Sequence, residues 1–151
     1  MESYEMQLAY SRILKDCYEA GDFDSLAEHL AEDAVYESQW VIEPWVGKAA
    51  VLGHYREIAE AAKKNGQAMH AQVVLLKQQS RSAPVMLWYD EGAPCVAVQQ
   101  GDAAEIKIIV TLKLNEAGLI QRIDICMPQF FEWEVATAGT RGQKCRKIEV
   151  D

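Results

Sequence analysis

The passage from Gly21 to Tyr55 constrains this chain more than any other stretch. Before it, Met6, Tyr10, Ile13, Leu14, Cys17 and Tyr18 recur at helical spacing and form one apolar stripe. Gly21 stands where a C-cap glycine ends that helix. Asp22 is placed to accept backbone N–H bonds at the start of a short second helix, whose buried face is Phe23, Leu26, Ala27 and Leu30. Ala34, Tyr36, Ser38 and Trp40 then alternate with Val35, Glu37 and Gln39, which is a strand pattern. Pro44 and Gly47 punctuate the link to a third helix, lined by Val51, Tyr55, Ile58, Ala59 and Ala62 and stopped at Asn65-Gly66. Gly53 lies inside that helix at a cost of about 1 kcal/mol relative to alanine, a cost that close approach of another backbone would explain.

From Met69 onward the chain reads as strands. The clearest pair is Ile106–Leu114 and Leu119–Met127, joined by Asn115-Glu116-Ala117-Gly118, a common hairpin loop length. Pairing Leu114 with Leu119 sets Val110 against Ile123, Ile108 against Ile125 and Ile106 against Met127 on one face. Lys107, Thr111, Lys113, Arg122 and Asp124 fall on the other. A slip of one residue would oppose apolar to polar throughout, so parity specifies which face is buried. An antiparallel sheet with one wet face is expected. Val85–Tyr89 and Cys95–Gln99 read as further extended segments, with turns near Glu91-Gly92 and Gly101-Asp102.

The length of 151 residues fits one domain, which needs neither disulfide nor metal to bury a sizeable core. Fifteen Lys and Arg against 23 Asp and Glu give a net charge of -8, which argues against nucleic acid and against an anionic membrane surface. The one basic cluster, Arg141, Lys144, Arg146 and Lys147, reads as a solvated tail. Cys17, Cys95, Cys126 and Cys145 show no CxxC spacing and no zinc pattern, and Cys17 and Cys126 sit in apolar patterns as small hydrophobes. With no signal-peptide pattern and no run of 18 apolar residues, a soluble, cytoplasmic setting is expected.

The order helix, helix, strand, helix, then strands covers almost the whole chain. Together with the Gly21-Asp22 turn, the acidic Glu32-Asp33 before the strand and the Gly47-Lys48 start of helix three, it resembles the nuclear-transport-factor-2-like superfamily, which includes SnoaL-like cyclases and ketosteroid isomerase. The resemblance implies an α+β, cystatin-like cone. In it, three N-terminal helices pack against a strongly curved antiparallel sheet, with a cavity at the wide end. It implies a domain over 1–133, a tail over 134–151 that is disordered or adds to an interface, and a homodimer formed through the sheet. It does not give a reaction, because this superfamily hosts unrelated functions. Aligned through the same turn, the general base of ketosteroid isomerase falls on Ser38, and its two oxyanion donors fall on Leu14 and near Val110. None of these side chains carries the needed group, so steroid double-bond isomerisation is not expected.

Other relatives move protons with a histidine and an aspartate. Here His70 opens a strand with a route toward the cavity, and Asp33 is its conceivable partner. His29 reads as exposed, and His54 neighbours the buried stripe of helix three without lying at its centre. Glu37 and Asp124 read as surface or interface charges. The ligand-cavity set is Tyr36, Ser38, Trp40, Trp45, Tyr55, His70, Trp88 and Met127, an apolar chamber with few polar groups. Phe130, Phe131 and Trp133 would close its mouth or meet a second subunit. The expected ligand is a small apolar or amphipathic molecule, with no cofactor and no metal. Two alternatives stand beside this reading. One is an isomerase, cyclase or dehydratase using His70 as general base. The other is a structural dimer module whose aromatics simply fill the core.

Overall fold

The computed structural model describes residues 3–79, 92–101 and 105–136. The expected strand Val85–Tyr89 with Trp88, the basic cluster from Arg141 to Lys147, and Cys145 lie outside the described residues. The elements are α1 (Ser3–Ala20), a 3-10 helix (Asp24–His29), β1 (Leu30–Ser38), β2 (Trp45–Val46), α2 (Lys48–Lys64), β3 (Met69–Gln79), β4 (Pro94–Gln100), β5 (Ile108–Leu114), β6 (Ile120–Cys126), a short 3-10 turn (Pro128–Phe130) and β7 (Phe131–Val135).

The helical stripes do what their spacing predicts. Leu14, Cys17 and Tyr18 of α1 are buried, as are Val51, Tyr55, Ala59 and Ala62 of α2. Gly21 ends α1 with φ +66°, and Asp22 N–H reaches back to Cys17 O at 3.2 Å while Gly21 N–H reaches Tyr18 O at 3.3 Å. This pair of bonds satisfies carbonyls that the helix end would otherwise leave open. Asp22 Oδ1 then accepts Asp24 N–H at 3.0 Å. The second helix is a 3-10 helix and hands over to β1 at Leu30, earlier than the alternation alone suggests. The close approach expected at Gly53 is not found, since nothing lies within 4 Å of a Cβ built there.

The strands form one sheet in the order β2-β1-β6-β5-β4-β3-β7. It is mixed rather than antiparallel, because β1 runs parallel to β6, with Tyr36 beside Ile123 and Ser38 beside Ile125. Hairpin connection imposes antiparallel pairing only on neighbours in sequence, and β1 meets β6 across most of the chain. The β5–β6 register also differs from the expected one. Val110 faces Ile125 and Leu112 faces Ile123, a shift of two residues. Two devices produce it. Asn115 N–H bonds Leu119 O at 2.8 Å around Gly118 at φ +80°, a three-residue loop with a left-handed glycine. An irregularity between Lys113 and Leu114 then adds one more residue to β6. A shift of two preserves parity, so Val110, Ile123 and Ile125 are buried on the helix side while Lys107 and Lys113 are exposed, as expected.

The helix-facing core joins Leu14, Tyr18, Phe23, Leu26, Tyr36, Tyr55, Val96, Val110, Leu112 and Ile123. The far face is not uniformly wet. Val74, Leu76, Cys95, Ala97, Ile109, Cys126, Phe131 and Trp133 make a second apolar cluster there, and Ile106 packs on it rather than on the helix side. Asp124 on that face is only 1% exposed. It bonds Arg122 Nη2 at 2.9 Å, and Arg122 also reaches Glu37 at 2.6 Å. Asp124 is therefore a buried carboxylate, not the surface charge its parity suggests. Arg122, two residues earlier on the same face of β6, supplies the guanidinium that makes that burial tolerable, and the parallel pairing with β1 brings Glu37 to it.

Candidate functional site

The site begins where β1 stops. Ser38 Oγ accepts Trp40 N–H at 3.2 Å, and Ser38 O accepts Val41 N–H at 3.2 Å. These bonds turn the chain out of the sheet. Trp40, expected on the strand face with Tyr36 and Ser38, is therefore directed to solvent at 53% exposure, followed by Val41 and by Ile42 at 98%. The chain returns as β2, with Trp45 paired to Tyr36 and Val46 to Val35. Gly47 N–H bonds Ala34 O at 2.7 Å, which fixes the start of α2 against β1.

That return carries α2 back across Trp45. The His54 ring stacks on Trp45 at a centroid distance of 3.7 Å and 17°. Tyr36 stands edge-on to both, 5.4 Å from Trp45 and 4.7 Å from His54. The rings continue inward: Tyr36 meets Tyr55 at 5.3 Å, and Tyr55 stacks on Phe23 at 4.3 Å. Tyr18 packs edge-on to Tyr55 and donates its hydroxyl to Tyr55 Oη at 3.2 Å. Each such ring pair contributes about 0.5–1.5 kcal/mol beyond its buried area. The series runs from sealed to open. Tyr18, Phe23 and Tyr55 are fully buried, Trp45 and His54 are half-buried, and Trp40, Val41, Ile42 and Val46, on the segment between β1 and α2, are exposed.

Burial governs the electrostatics. It pushes the phenols of Tyr18, Tyr36 and Tyr55 above their ordinary range, so they stay neutral. It also lowers His54 below its ordinary 6.5, outweighing the opposite pull of Glu57. His54 is then a neutral imidazole with one ring nitrogen donating and the other accepting. Among the described residues, nothing hydrogen-bonds the His54 nitrogens or the Tyr36 hydroxyl.

The remaining expected site residues are dispersed. His70 lies at the surface rather than on an inner wall, with its Nδ1 3.7 Å from Glu19 Oε2. β3 parity explains this, because Met69 and Ala71 face the helices. Asp33 is exposed and accepts from Gln121 Nε2 at 3.2 Å. His70 and Asp33 thus have separate partners. The Ser38 hydroxyl is occupied by the turn. Leu14 and Val110, at the isomerase oxyanion positions, are sealed in the core. Met127 is half-buried, and its N–H is held by Gln39 Oε1. Phe131 and Trp133 belong to the far-face cluster instead of closing a mouth. His29 is partly covered by Tyr10 at 5.2 Å and lies 3.5 Å from Glu28. Among the described residues, no group of three metal-ligating side chains occurs, and no helix is long and apolar enough to cross a membrane. An open hollow of about 430 Å³ lies between Ala20–Asp24 and the Arg56–Lys63 face of α2. Its Arg56 is engaged by Asp24 at 3.2 Å.

His54 is the site residue that sequence reasoning passed over. The signal was present: it follows Val51 by three residues and precedes Ile58 by four, the spacing of a flank of the buried stripe. Nothing local showed that Trp45 would lie over it.

Among the described residues, helices packed on a seven-stranded mixed sheet, with aromatics at the β1–β2–α2 end, define an α+β protein of the cystatin-like kind. The chain belongs to the SnoaL-like domain family of the nuclear-transport-factor-2-like superfamily, whose family model matches residues 11–122. No curated protein matches it. Solved structures that share the fold include the following three. One is a SnoaL-like protein of unknown function from Burkholderia thailandensis, 12% identical, with TM-score 0.58 over 83% of this chain and 96% of that one. Another is a protein from Kribbella flavida described as a candidate ketosteroid isomerase, 20% identical, with TM-score 0.55 over 98% and 95% of the two chains. The third is an uncharacterised bacterial protein with a cystatin-like fold from Silicibacter pomeroyi, 16% identical, with TM-score 0.56 over 83% and 78%. At these identities the likeness concerns the fold.

Proposed function

We propose that this protein binds a small, mostly apolar molecule at the open end of its ring series, against Tyr36, Trp45 and His54. The observation that carries the reading is the gradient from a sealed aromatic core to half-buried Trp45 and His54, with Trp40, Val41, Ile42 and Val46 exposed along the segment that joins β1 to α2. Soluble domains rarely leave large apolar side chains together in water without a use for them. Trp40 serves here as a rim residue, Tyr55 as the floor, and Ser38 and Met127 as the edge where β1 and β6 end. A bent, cone-like sheet is part of this reading. Its support is the register irregularities in β1–β6, β3–β7 and β5–β6, since bulges bend the strands that carry them.

Native mass spectrometry of the purified protein tests the proposal. A retained small molecule is expected, and its occupancy should fall when Trp45 is changed to alanine with the fold intact by circular dichroism. Protein that retains nothing, and whose tryptophan fluorescence is unmoved by naphthalene-sized aromatics, would end the reading. The second reading, a structural module with a filled core, has its own observation. Tyr18, Phe23 and Tyr55 interlock with no exposure above 2%, and Trp40 lies in solvent. The same experiment separates the two.

A further inference from the structure

We infer that the hollow between the end of α1 and the face of α2 is a second binding site, and that it takes a small zwitterion with an ammonium and a carboxylate on one short chain. The inference does not rest on the ring-site reading. It starts from open space: about 430 Å³ stands between the turn Ala20–Asp24 and the Arg56, Ala59, Glu60 and Lys63 face of α2, within the range of small-ligand pockets. The sequence makes this space in two ways. Gly21 ends α1 with φ +66°, and a Cβ built there meets nothing within 4 Å, so the turn presents no side chain at that position. Ala59 puts only a methyl on the face of α2 that Arg56 and Lys63 share, where a longer side chain would fill the hollow. Phe23 and Ala59, 2% and 8% exposed, are its buried floor.

The charges around this space are of both signs and only partly paired. Asp24 holds Arg56 at 3.2 Å, which ties the two walls together and answers both charges. Asp22 and Glu60 then stand against Lys63, the remaining cation of the lining. Glu60 and Lys63 are three residues apart on α2, near enough to pair, yet among the described residues neither makes an ion pair or a hydrogen bond. The end of α1 adds to the negative side. Its Cys17 and Tyr18 carbonyls are bonded by Asp22 and Gly21 N–H, while among the described residues nothing reaches Ala20 O, which leaves partial negative charge beside Asp22. A simple anion is poorly served here. Arg56 is engaged, Lys63 lies two turns or about 10 Å along the helix from it, and Glu60 stands between them. A simple cation is repelled by Lys63. A zwitterion answers both signs, with its ammonium on Asp22, Glu60 and the end of α1, and its carboxylate on Lys63.

The test titrates three probes of equal carbon count, 5-aminopentanoate, pentanoate and pentylamine, into ¹⁵N-labelled protein and follows the backbone amide shifts. Saturable shifts are expected at Gly21, Asp22, Glu60 and Lys63. 5-Aminopentanoate should bind about two- to fivefold more tightly than either singly charged probe, the range of one exposed charge pair. Lys63→Met should remove its advantage over pentylamine, and Glu60→Gln should reduce its advantage over pentanoate. Both side chains are exposed, so neither change threatens the fold. Equal binding of the three probes, or an advantage that survives in both variants, would overturn the zwitterion assignment. Shifts that are absent or never saturate would overturn the site itself. Shifts centred on Trp45 and His54 would also overturn it, while leaving the ring site standing.

Discussion

Gly53 occupies the middle of α2 although no contact requires a glycine there. Its φ is not in the left-handed region, and a Cβ built on it meets nothing within 4 Å. Changing it to alanine removes backbone freedom from the unfolded chain and adds no clash. Gly53→Ala should therefore stabilise the protein by about 0.5–1 kcal/mol, read as a higher urea midpoint at unchanged slope. A destabilised variant would mean that a neighbouring group needs the space. At this scale the legible residues were those governed by periodicity. Leu14, Tyr18, Val51 and Tyr55 are buried where a repeat of 3.6 puts them. Trp40 was misplaced because the alternation continues through it, whereas the Ser38 hydroxyl and carbonyl end the strand. Single-residue turn chemistry of this kind overrides a pattern without altering it.

Pairing of β1 with β6 is the feature of the sheet that local pattern could not reveal. Alternation tells which face a side chain takes, but not which strand lies alongside or in which direction. The β5–β6 hairpin shows the same limit at shorter range, since parity survived while Gly118 and the added residue near Gln121 moved the register by two. The parallel pair matters energetically because it sets Glu37 beside Asp124 and Val35 beside Arg122. Two carboxylates on neighbouring strands repel unless a cation joins them, and Arg122 does so from a position 32% exposed, with Asp124 at 2%. Hydrogen bonding to Asp124 and then to Glu37 holds the guanidinium firmly charged, against some desolvation. Removing the cation leaves a buried carboxylate without its guanidinium. Arg122→Met should cost about 2–3 kcal/mol, toward the low end for buried pairs because the arginine is partly hydrated. Glu37→Gln should cost less than about 1 kcal/mol, since that partner is more exposed. Chemical denaturation of the two variants decides the order, and equal losses would show that the triad acts as a surface network instead.

The molecule as a whole is a sheet with apolar clusters on both faces, the larger sealed by helices and continuous with the ring series that opens at Trp45 and His54. That continuity links the site to global stability through one titration. In the unfolded chain the His54 imidazole titrates near 6.5, whereas in the folded protein burial lowers its pKa and the weaker attraction of Glu57 does not restore it. Between those two values the unfolded chain binds a proton that the native state excludes, so stability rises with pH across that window. The contribution is complete above 6.5 and is lost as pH falls through the folded value. The groups facing His54 do not reverse the sign: Glu57 belongs to its own helix, Tyr36 stays neutral because burial raises its phenol, and Trp45 does not titrate. His54→Phe removes this one contribution and leaves every other titrating group in place. Urea denaturation of the wild type and the variant, at intervals from about pH 8 down to about pH 5, should give stabilities separated by a constant offset at the alkaline end. Below 6.5 that offset should change, with the wild type losing more stability than His54→Phe. Curves that remain parallel throughout would show that His54 is as hydrated in the folded protein as in the unfolded chain. The half-buried ring set would then be open to water on the imidazole side.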